Sequence, residues 1–266
     1  RSPAVEGYCS RQSVRVGDTI EFMLSANPPR KVRLEIFRTG YYGGRGARKM
    51  TELGPLTVGT QPTPKPAEKN LHECRWPAAA SLVIPGDWVS GVYLGRLTTI
   101  PEAADEPYWQ SHLVFIVRDE RPADILFQCS DNTWQAYNRW PSQFSLYDDE
   151  KNEWYWGGGV RVGFNRPYGK YCQIVDQPLS IGSGEFFLWE YPFVYWLEAH
   201  GYDVSYLSNA DTHFDRAGLL RADGFLSVGH DEYWTIQMYR NVEAAILAGV
   251  SVGFFSGSAV CGRILE

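Results

Sequence analysis

The sequence lacks any long apolar run. A helix that crosses a bilayer needs about 20 consecutive apolar residues, and no stretch of the 266-residue chain approaches that length. Basic residues are scattered, and the net charge is -6 with a pI near 5.5. Because such a chain has no broad positive surface, nucleic acid and membrane are not expected partners. The opening segment "RSPAVEGYCS" lacks the apolar core of a signal peptide, so no signal peptide is expected.

Cysteine is scarce and shows no paired spacing. Five cysteines are present, and neither CxxC nor CxxH, the spacings typical of zinc sites, occurs. An odd number of cysteines in a chain of this size favours reduced thiols over a disulfide framework. The sequence therefore predicts a cytoplasmic protein.

Hydrophobic and aromatic residues, by contrast, are plentiful. Hydrophobic residues make up 44% of the chain and charged residues 21%, which is the composition of a folded globular protein. Aromatic residues reach 15%, including 10 tryptophans and 16 tyrosines. Such residues commonly fill large cores and interfaces, and they also form stacking surfaces or provide phenol ligands.

The first part of the chain has the pattern of an all-β domain. The segment "RKVRLEIFR" alternates Val32, Leu34 and Ile36 with charged residues, as a half-buried strand does. Two further strands are expected at 91–100 and 111–118. No segment before residue 119 has helical periodicity, so residues 1–120 are predicted to form a β-sandwich domain.

Residues 121–266 have the alternating pattern of an α/β domain. The charged, proline-containing segment "RDERPADI" marks the boundary. Strands are expected at 124–129 and in "DVSYLS", "GFLSVG" and "VSVGFFSG". Strands that alternate with helices predict a parallel sheet covered by helices on both faces.

Two helices are expected in this second part. The first runs from Phe186 to His200 and is stopped by Gly201, and it is predicted to share one apolar face among Trp189, Phe193, Trp196 and Leu197. The second begins after Thr235, which is suited to cap it, and ends at Gly249. Its apolar face is predicted to consist of Met238, Val242, Ala245 and Ile246.

The strand "GFLSVG" runs directly into "HDEYW", and ligands of open α/β sheets lie outside the carboxyl ends of the strands. If the chain stays extended there, His230 and Glu232 point to one side and Asp231 to the other. A base and a carboxylate ligand would then share one site. The ordinary alternative is that Asp231 and Glu232 only favour the start of the following helix, with His230 a loop residue.

A serine hydrolase is a second interpretation of the same region. The segment "GFFSGSAV" places Ser256 and Ser258 after a strand, where a nucleophile with His230 as base and Asp231 as orienting acid is conceivable. The segment departs from the G-x-S-x-G pattern of a nucleophile elbow.

The remaining histidines show no ligand spacing, and structural roles are expected for His72, His112, His200 and His213. A metal site in this chain must therefore use carboxylates and phenols. Such hard oxygen ligands favour a hard cation such as ferric iron.

Five segments, in chain order, resemble the large (beta) subunit of N,N-dimethylformamidase and its relatives: "RTGYYGGRGARKM", "TWQAYNRWPSQFSLYDD", "FNRPYGKY", "VGHDEYW" and "FFSGSAV". The resemblance spans nearly the whole chain from Gly7. It implies a β-sandwich-like region followed by an α/β region that resembles the glutamine-amidotransferase fold. It also implies hydrolysis of the amide bond of small N-substituted formamides at a mononuclear iron (Fe³⁺) held by two tyrosines and a glutamate.

Matching these segments to the family assigns residues to that iron. Glu232 matches the glutamate ligand and Tyr137 the first tyrosine. Tyr168 is the choice for the second tyrosine, with Tyr171 and Tyr155 as the alternatives, and aromatic packing is the ordinary role for any of them. His230 matches a histidine that acts on water or substrate.

The chain departs from the family pattern at Ser258, where the family has an asparagine. A shorter hydroxyl replaces an amide that would orient a carbonyl, so a different substrate or a loss of activity is expected. The family's chains continue well beyond "CGRILE", and the α/β domain is therefore expected to be incomplete at its C-terminal end. The resemblance also raises a small partner subunit and homo-oligomer formation as expectations.

A non-catalytic, carbohydrate-binding module is the remaining alternative. Its motivation is the β domain together with the aromatic segment "NEWYWGGG", in which Tyr155 and Trp156 are suited to stack on sugar rings. Charged residues at several strand ends of a parallel sheet argue against it.

Overall fold

The structure is a computed structural model that describes residues 4–142, 144–148, 161–172, 175–176 and 181–265. Residues 171–172 and 175–176 are described by their backbone only. It is a mixed α/β fold, rich in strands, with several sheets of which some are parallel. No helix in these ranges is long and apolar enough to cross a membrane.

Eight strands form the first part of the chain. In chain order they are β1 (Val5–Cys9), β2 (Ser13–Val14), β3 (Thr19–Ala26), β4 (Arg30–Thr39), β5 (Ala47–Val58), β6 (Ala78–Val83), β7 (Gly91–Thr99) and β8 (Gln110–Val117). One sheet has the order β1-β3-β6 and the other β2-β8-β7-β4-β5, and all neighbours are antiparallel except β2 and β8. Short 3-10 turns lie at Tyr42–Gly44 and Glu68–Asn70.

The two sheets pack face to face on one apolar core. Strand β4 buries Val32, Leu34 and Ile36 completely, which confirms the alternation predicted from the sequence. Every second residue of a strand points to the same face, so β3 likewise contributes Ile20 and Phe22 to this core. The result is a β-sandwich in the predicted part of the chain.

The second part of the chain alternates strands and helices. Its elements are β9 (Ala123–Gln128), α1 (Asp131–Tyr137), β10 (Tyr171–Cys172), β11 (Val175–Asp176), α2 (Phe186–Trp189), α3 (Tyr191–Ala199), β12 (Val204–Leu207), α4 (Asn209–Phe214), a 3-10 segment Ala217–Arg221, β13 (Ala222–Gly229), β14 (Tyr233–Trp234), α5 (Ile236–Leu247), β15 (Ser251–Ser256) and β16 (Gly262–Arg263). A sheet of the order β12-β9-β13-β15 is parallel throughout, as predicted.

Helices cover both faces of this parallel sheet. Leu126 and Phe225 lie in one cluster with Met238 of α5, whereas Phe127 and Val228 lie in another with Val194 of α3. Neighbouring residues of a strand point to opposite faces, so each strand serves both clusters. Strands that are apolar on both faces are typical of parallel sheets.

The two parts of the chain share a core. The cluster around α3 also contains Val92 and Leu94 of β7 and Val114 and Ile116 of β8, from the outer face of the sandwich. A buried ion pair joins Arg38 of β4 to Glu198 of α3 at 2.8 Å. The division into domains 1–120 and 121–266 stays a prediction.

The first predicted helix differs from the structure. It is split into α2 and α3, and Val194 and Leu197 are the buried residues of α3, whereas Trp189 and Trp196 are 43% and 44% exposed. The predicted face was therefore wrong in part. The two tryptophans lie at the edge of the interface with the sheet, and the smaller Val194 and Leu197 make the contact. Helix α1, of seven residues, was not predicted from the sequence.

The second predicted helix agrees more closely. The Thr235 hydroxyl accepts a hydrogen bond from the Met238 N–H at 3.0 Å and caps α5 as predicted. Met238, Val242 and Ala245 are buried, but Ile246 is 48% exposed and does not belong to the buried face. The cysteines with described side chains are free thiols, and Cys9, Cys74 and Cys129 are buried while Cys261 is exposed.

Candidate active site

The order of the parallel sheet places a topological switch point between β9 and β13. The chain leaves β9 for β12 on one side and later enters β13 on the other, so consecutive connections diverge at this point. Ligands of open α/β sheets lie outside the carboxyl ends of the strands at such a switch point. Helix α1 follows β9 here, and the segment "HDEYW" follows β13.

Asp231 fixes the turn that follows β13. Its Oδ2 accepts hydrogen bonds from Gln128 Nε2 at 2.5 Å and Ser227 Oγ at 2.7 Å, and its Oδ1 accepts one from Asn209 Nδ2 at 3.1 Å. Its N–H donates to Ser256 Oγ at 2.9 Å. Burial raises the pKa of Asp231 to about 6 despite these bonds. The carboxylate thus joins the ends of several strands beneath the site.

Four side chains meet on the opposite side of that turn. The Tyr137 hydroxyl donates to Glu232 Oε2 at 2.8 Å, and the Tyr147 hydroxyl lies 3.4 Å from the same oxygen and 3.5 Å from Oε1. His230 Nε2 lies 3.3 Å from Glu232 Oε2, and its ring centroid lies 5.1 Å from that of Tyr137. The expected alternation, with His230 and Glu232 on one side and Asp231 on the other, is confirmed.

A third phenol extends the cluster. The hydroxyl of Tyr233 is hydrogen-bonded to that of Tyr147. The backbone N–H of Glu232 donates to the Thr133 hydroxyl of α1 at 3.0 Å, which ties the turn to the helix. The site is therefore built from three segments: α1, residues 144–148 and the turn after β13.

Burial sets the protonation states in the site. Burial first, and then the hydrogen bond to Glu232, raise the pKa of Tyr137 above that of an ordinary tyrosine. Burial also raises the pKa of Tyr233 to about 12. Burial lowers the pKa of His230, against the attraction of Glu232, so the imidazole is neutral at neutral pH. In the absence of a cation, Tyr137 and Tyr233 are therefore neutral phenols.

The donor atoms of this cluster suit a hard cation. In the part of the chain that the structure describes, no three His, Cys, Asp or Glu side chains are grouped so as to hold a metal. A cation at this site would depend on phenol oxygens, and Tyr137 and Tyr147 each bring one within hydrogen-bonding reach of the Glu232 carboxylate. Oxygen donors of this kind are those that hard cations prefer.

A comparison with protein families finds one match over this architecture. Residues 33–265 match the family described as N,N-dimethylformamidase beta subunit-like, C-terminal. The chain belongs to the N,N-dimethylformamidase beta subunit-like family. No curated protein matches the chain.

The family match confirms the resemblance seen in the sequence. Of the three residues that the resemblance assigns as iron ligands, two lie in contact. Tyr137 and Glu232 form a direct hydrogen bond, and His230 lies beside both. Tyr147 was missed, although it stands in the quoted segment "TWQAYNRWPSQFSLYDD". Tyr147 lies ten positions after Tyr137, so no sequence periodicity marked it.

The structure places Tyr168 elsewhere. Its ring is fully buried in the core cluster that contains Phe127 and Val114, with its centroid 6.3 Å from that of Trp134. Its hydroxyl lies near the Gln135 amide without a well-aligned hydrogen bond to any described residue. Burial raises the pKa of Tyr168 well above its ordinary value. The described contacts of Tyr168 thus do not include Glu232, because its ring points into the core.

The two alternative tyrosines have no described side chain. Tyr171 lies in β10, whose side chains are not described, and Tyr155 lies outside the described residues, as does Trp156. The carbohydrate-binding interpretation based on Tyr155 and Trp156 stays a prediction.

Ser258 lies in the turn after β15. It is exposed and has a left-handed backbone with φ of 52°. The neighbouring Ser256 hydroxyl accepts the Asp231 N–H and donates to the Gly257 carbonyl. The Asp231 carboxylate accepts hydrogen bonds from Gln128, Ser227 and Asn209, on the other side of the turn from His230. The arrangement therefore does not show the hydrogen-bonded Ser, His and Asp series of a hydrolase triad.

A second buried acid lies on the inner side of α1. Glu190 is fully buried, and its Oε1 accepts hydrogen bonds from Ser130 Oγ at 2.5 Å and Trp134 Nε1 at 2.7 Å. Burial raises the pKa of Glu190 to about 7. These bonds join the start of α3 to the end of β9 and the middle of α1.

Proposed function

We propose that this chain is the catalytic part of an iron-dependent amidohydrolase that cleaves the amide bond of small N-substituted formamides such as N,N-dimethylformamide. The observation behind this proposal is the meeting of the Tyr137 and Tyr147 hydroxyls at the Glu232 carboxylate. The family match over residues 33–265 supports the same reaction class.

Tyr137, Tyr147 and Glu232 are the residues that would hold the iron. Tyr147 takes the position that the sequence had suggested for Tyr168, because its hydroxyl reaches Glu232 and that of Tyr168 lies in the core. A bound ferric ion supplies a Lewis acid that polarises the amide carbonyl and lowers the pKa of water.

His230 is the proton-transfer residue in this proposal. Its imidazole is neutral because burial lowers its pKa, so it is able to accept a proton from water at neutral pH and return it to the leaving amine. Glu232, 3.3 Å away, stabilises the protonated ring. General acid-base catalysis of this kind contributes about a hundredfold or more to the rate.

Substrate preference depends on Ser258 and on the rings around the site. The rings of Tyr137, Tyr147 and His230 limit access of water to the partly buried Glu232. Small apolar amides suit such surroundings. Because Ser258 is shorter than the asparagine of the family, we propose that this chain takes a carbonyl substrate with more bulk near that position.

The resemblance to the glutamine-amidotransferase fold belongs to the same proposal. Four parallel strands with helices on both faces, and a site at the switch point, support it. A small partner subunit, a homo-oligomer and a cytoplasmic location stay predictions.

Metal analysis of the purified protein tests the proposal without a choice of substrate. We expect iron in an equimolar amount and a visible absorption band from phenolate-to-ferric charge transfer. Formate released from N,N-dimethylformamide should disappear on chelation and return with iron. Protein that stays colourless and inactive after incubation with iron would contradict the proposal.

A further inference from the structure

Arg166 of the segment "FNRPYGKY" is a fully buried cation whose partners are neutral oxygens. Its exposed fraction is 1%. Its guanidinium donates to the Trp140 and Phe144 carbonyls at 2.9 and 3.0 Å, and to the Gln135 and Asn138 carbonyls at 3.0 Å each. Its Nε donates to the Gln135 side chain at 3.2 Å. A guanidinium has five N–H donors in a rigid plane, and all are used here.

Burial of this charge is costly. Desolvation lowers the pKa of Arg166 to about 10. A buried cation without a carboxylate partner persists only where its donors are fully satisfied. The geometry of the four carbonyls is therefore matched to the guanidinium plane, and a Lys ammonium, with three donors on one atom, cannot reproduce it.

These carbonyls belong to the two segments that contain the site phenols. Gln135 and Asn138 flank Tyr137 at the C-terminal end of α1, where the Gln135 carbonyl accepts the capping N–H of Asn138 as well as the guanidinium. Trp140 and Phe144 belong to the chain that leads to Tyr147. The Leu146 N–H adds a bond of 2.7 Å to the Ala136 carbonyl, which sets these segments side by side.

The Asn138 side chain also forms hydrogen bonds with the segment that contains Arg166. Its Nδ2 donates to the Pro167 carbonyl at 2.9 Å, and its Oδ1 accepts the N–H groups of Trp140 at 3.1 Å and Gly169 at 3.0 Å. Residues 166–169 and 138–140 are thus tied in both directions. Tyr168, within this segment, points into the core.

We propose that Arg166 is the positioning residue of the phenol site: it holds the end of α1 and the chain leading to Tyr147 so that both hydroxyls reach Glu232. This inference rests on the proposed function and deepens it, because it explains how Tyr137 and Tyr147, two proposed ligands, are placed. The segment "FNRPYGKY" then serves the site through Arg166. Loss of Arg166 should displace the phenols without removing a donor atom.

The test uses fluorine NMR of metal-free protein with 3-fluorotyrosine at position 137 or 147. Arg166→Lys should shift or broaden both resonances while near-UV circular dichroism shows a folded protein. Arg161→Lys, an exposed exchange five positions earlier in the chain, should leave both resonances unchanged. The resonance of a 3-fluorotyrosine at the exposed position 239 should be the same in every variant, as a control at Tyr239. Both resonances unmoved in folded Arg166→Lys would overturn the proposal.

Asn138→Asp keeps the test decisive if Arg166→Lys does not fold. It preserves the side-chain volume but turns the donor to the Pro167 carbonyl into an acceptor, and it should move the same two resonances. With iron, Arg166→Lys should weaken charge-transfer absorption per bound iron. If wild-type protein binds no iron, the proposed function fails, and the fluorine result still decides on Arg166.

Discussion

The Tyr137 hydroxyl and the Glu232 carboxylate, 95 positions apart in the chain, are joined by a hydrogen bond of 2.8 Å. This contact connects the helix after β9 to the turn after β13, across the switch point of the sheet. A phenol donating to a carboxylate holds the two oxygens close before any cation binds. Replacement of the phenol proton by a metal requires little movement, and the first two predictions follow from that.

Glu232→Gln should fold as the wild type and lose iron. The amide keeps the size of the side chain and an oxygen for Tyr137, but it removes the negative charge. We expect a fall in iron affinity of at least tenfold, which is about 1.4 kcal/mol, by metal analysis after dialysis. Glu243→Gln on the exposed side of α5 is the matched control. Equal iron content in both would refute the assignment of Glu232.

Tyr147→Phe and Tyr168→Phe should have opposite consequences. Tyr147→Phe removes a hydroxyl that reaches Glu232, so the charge-transfer band should weaken and turnover should fall. Tyr168→Phe removes a buried hydroxyl without a well-aligned partner, so iron should be unchanged and the free energy of unfolding should change by no more than about 1 kcal/mol. Loss of the band in Tyr168→Phe alone would reverse the assignment.

His230→Gln should retain iron and lose about a hundredfold in kcat. Because burial lowers the pKa of His230, the acid limb of the wild-type pH profile should lie below the ordinary pKa of histidine. Protonation of the base removes activity as the pH falls through that limb. The limb should be absent in His230→Gln. An unchanged limb in the variant would assign it to another group.

Stability should decrease as the pH rises towards 7. Burial raises the pKa of Glu190 to about 7 and that of Asp131 to about 8, so the folded state keeps protons that the unfolded state has released. The contribution of these two carboxyls to the free energy of unfolding is therefore largest below the ordinary carboxyl range and is lost as the pH rises through these values. Glu190→Gln should flatten the slope in urea titrations, and exposed Glu21→Gln should not.

The Arg38–Glu198 pair should be a large contributor to stability. Its side chains are 9% and 18% exposed, and Arg38 also donates to the Ser90 carbonyl at 2.7 Å. Arg38→Ala leaves the Glu198 carboxylate without its cation, at an expected cost of about 3 kcal/mol. Arg33→Ala, which breaks the exposed pair with Glu52, should cost under about 1 kcal/mol. Urea unfolding measures both, and equal effects would contradict the expectation.

Much of the fold follows from local patterns. The alternation of Val32, Leu34 and Ile36 predicted a strand with one buried face, and the position of Thr235 predicted the start of α5. The period of two also placed His230 and Glu232 together, away from Asp231. These features depend on neighbours in the chain, which the sequence displays directly.

Other features depend on contacts between distant segments. Tyr147 and Tyr168 have similar sequence surroundings, rich in aromatic and polar residues, yet one reaches Glu232 and the other lies in the core. What separates them is the network around Arg166, which no periodicity reveals. The exposed positions of Trp189 and Trp196 were missed for the same reason, since the packing of α2 and α3 on the sheet decides which of their apolar residues are covered.

The outer face of β7 and β8 packs against α3 instead of facing water, and this limits how the protein can be divided. A cut of the chain between β8 and β9 would expose four buried apolar side chains to water: Val92, Leu94, Val114 and Ile116. Each half would then expose an apolar surface and would aggregate when expressed by itself. A transfer of the parallel sheet and the phenol cluster to another protein would therefore have to include the β-sandwich.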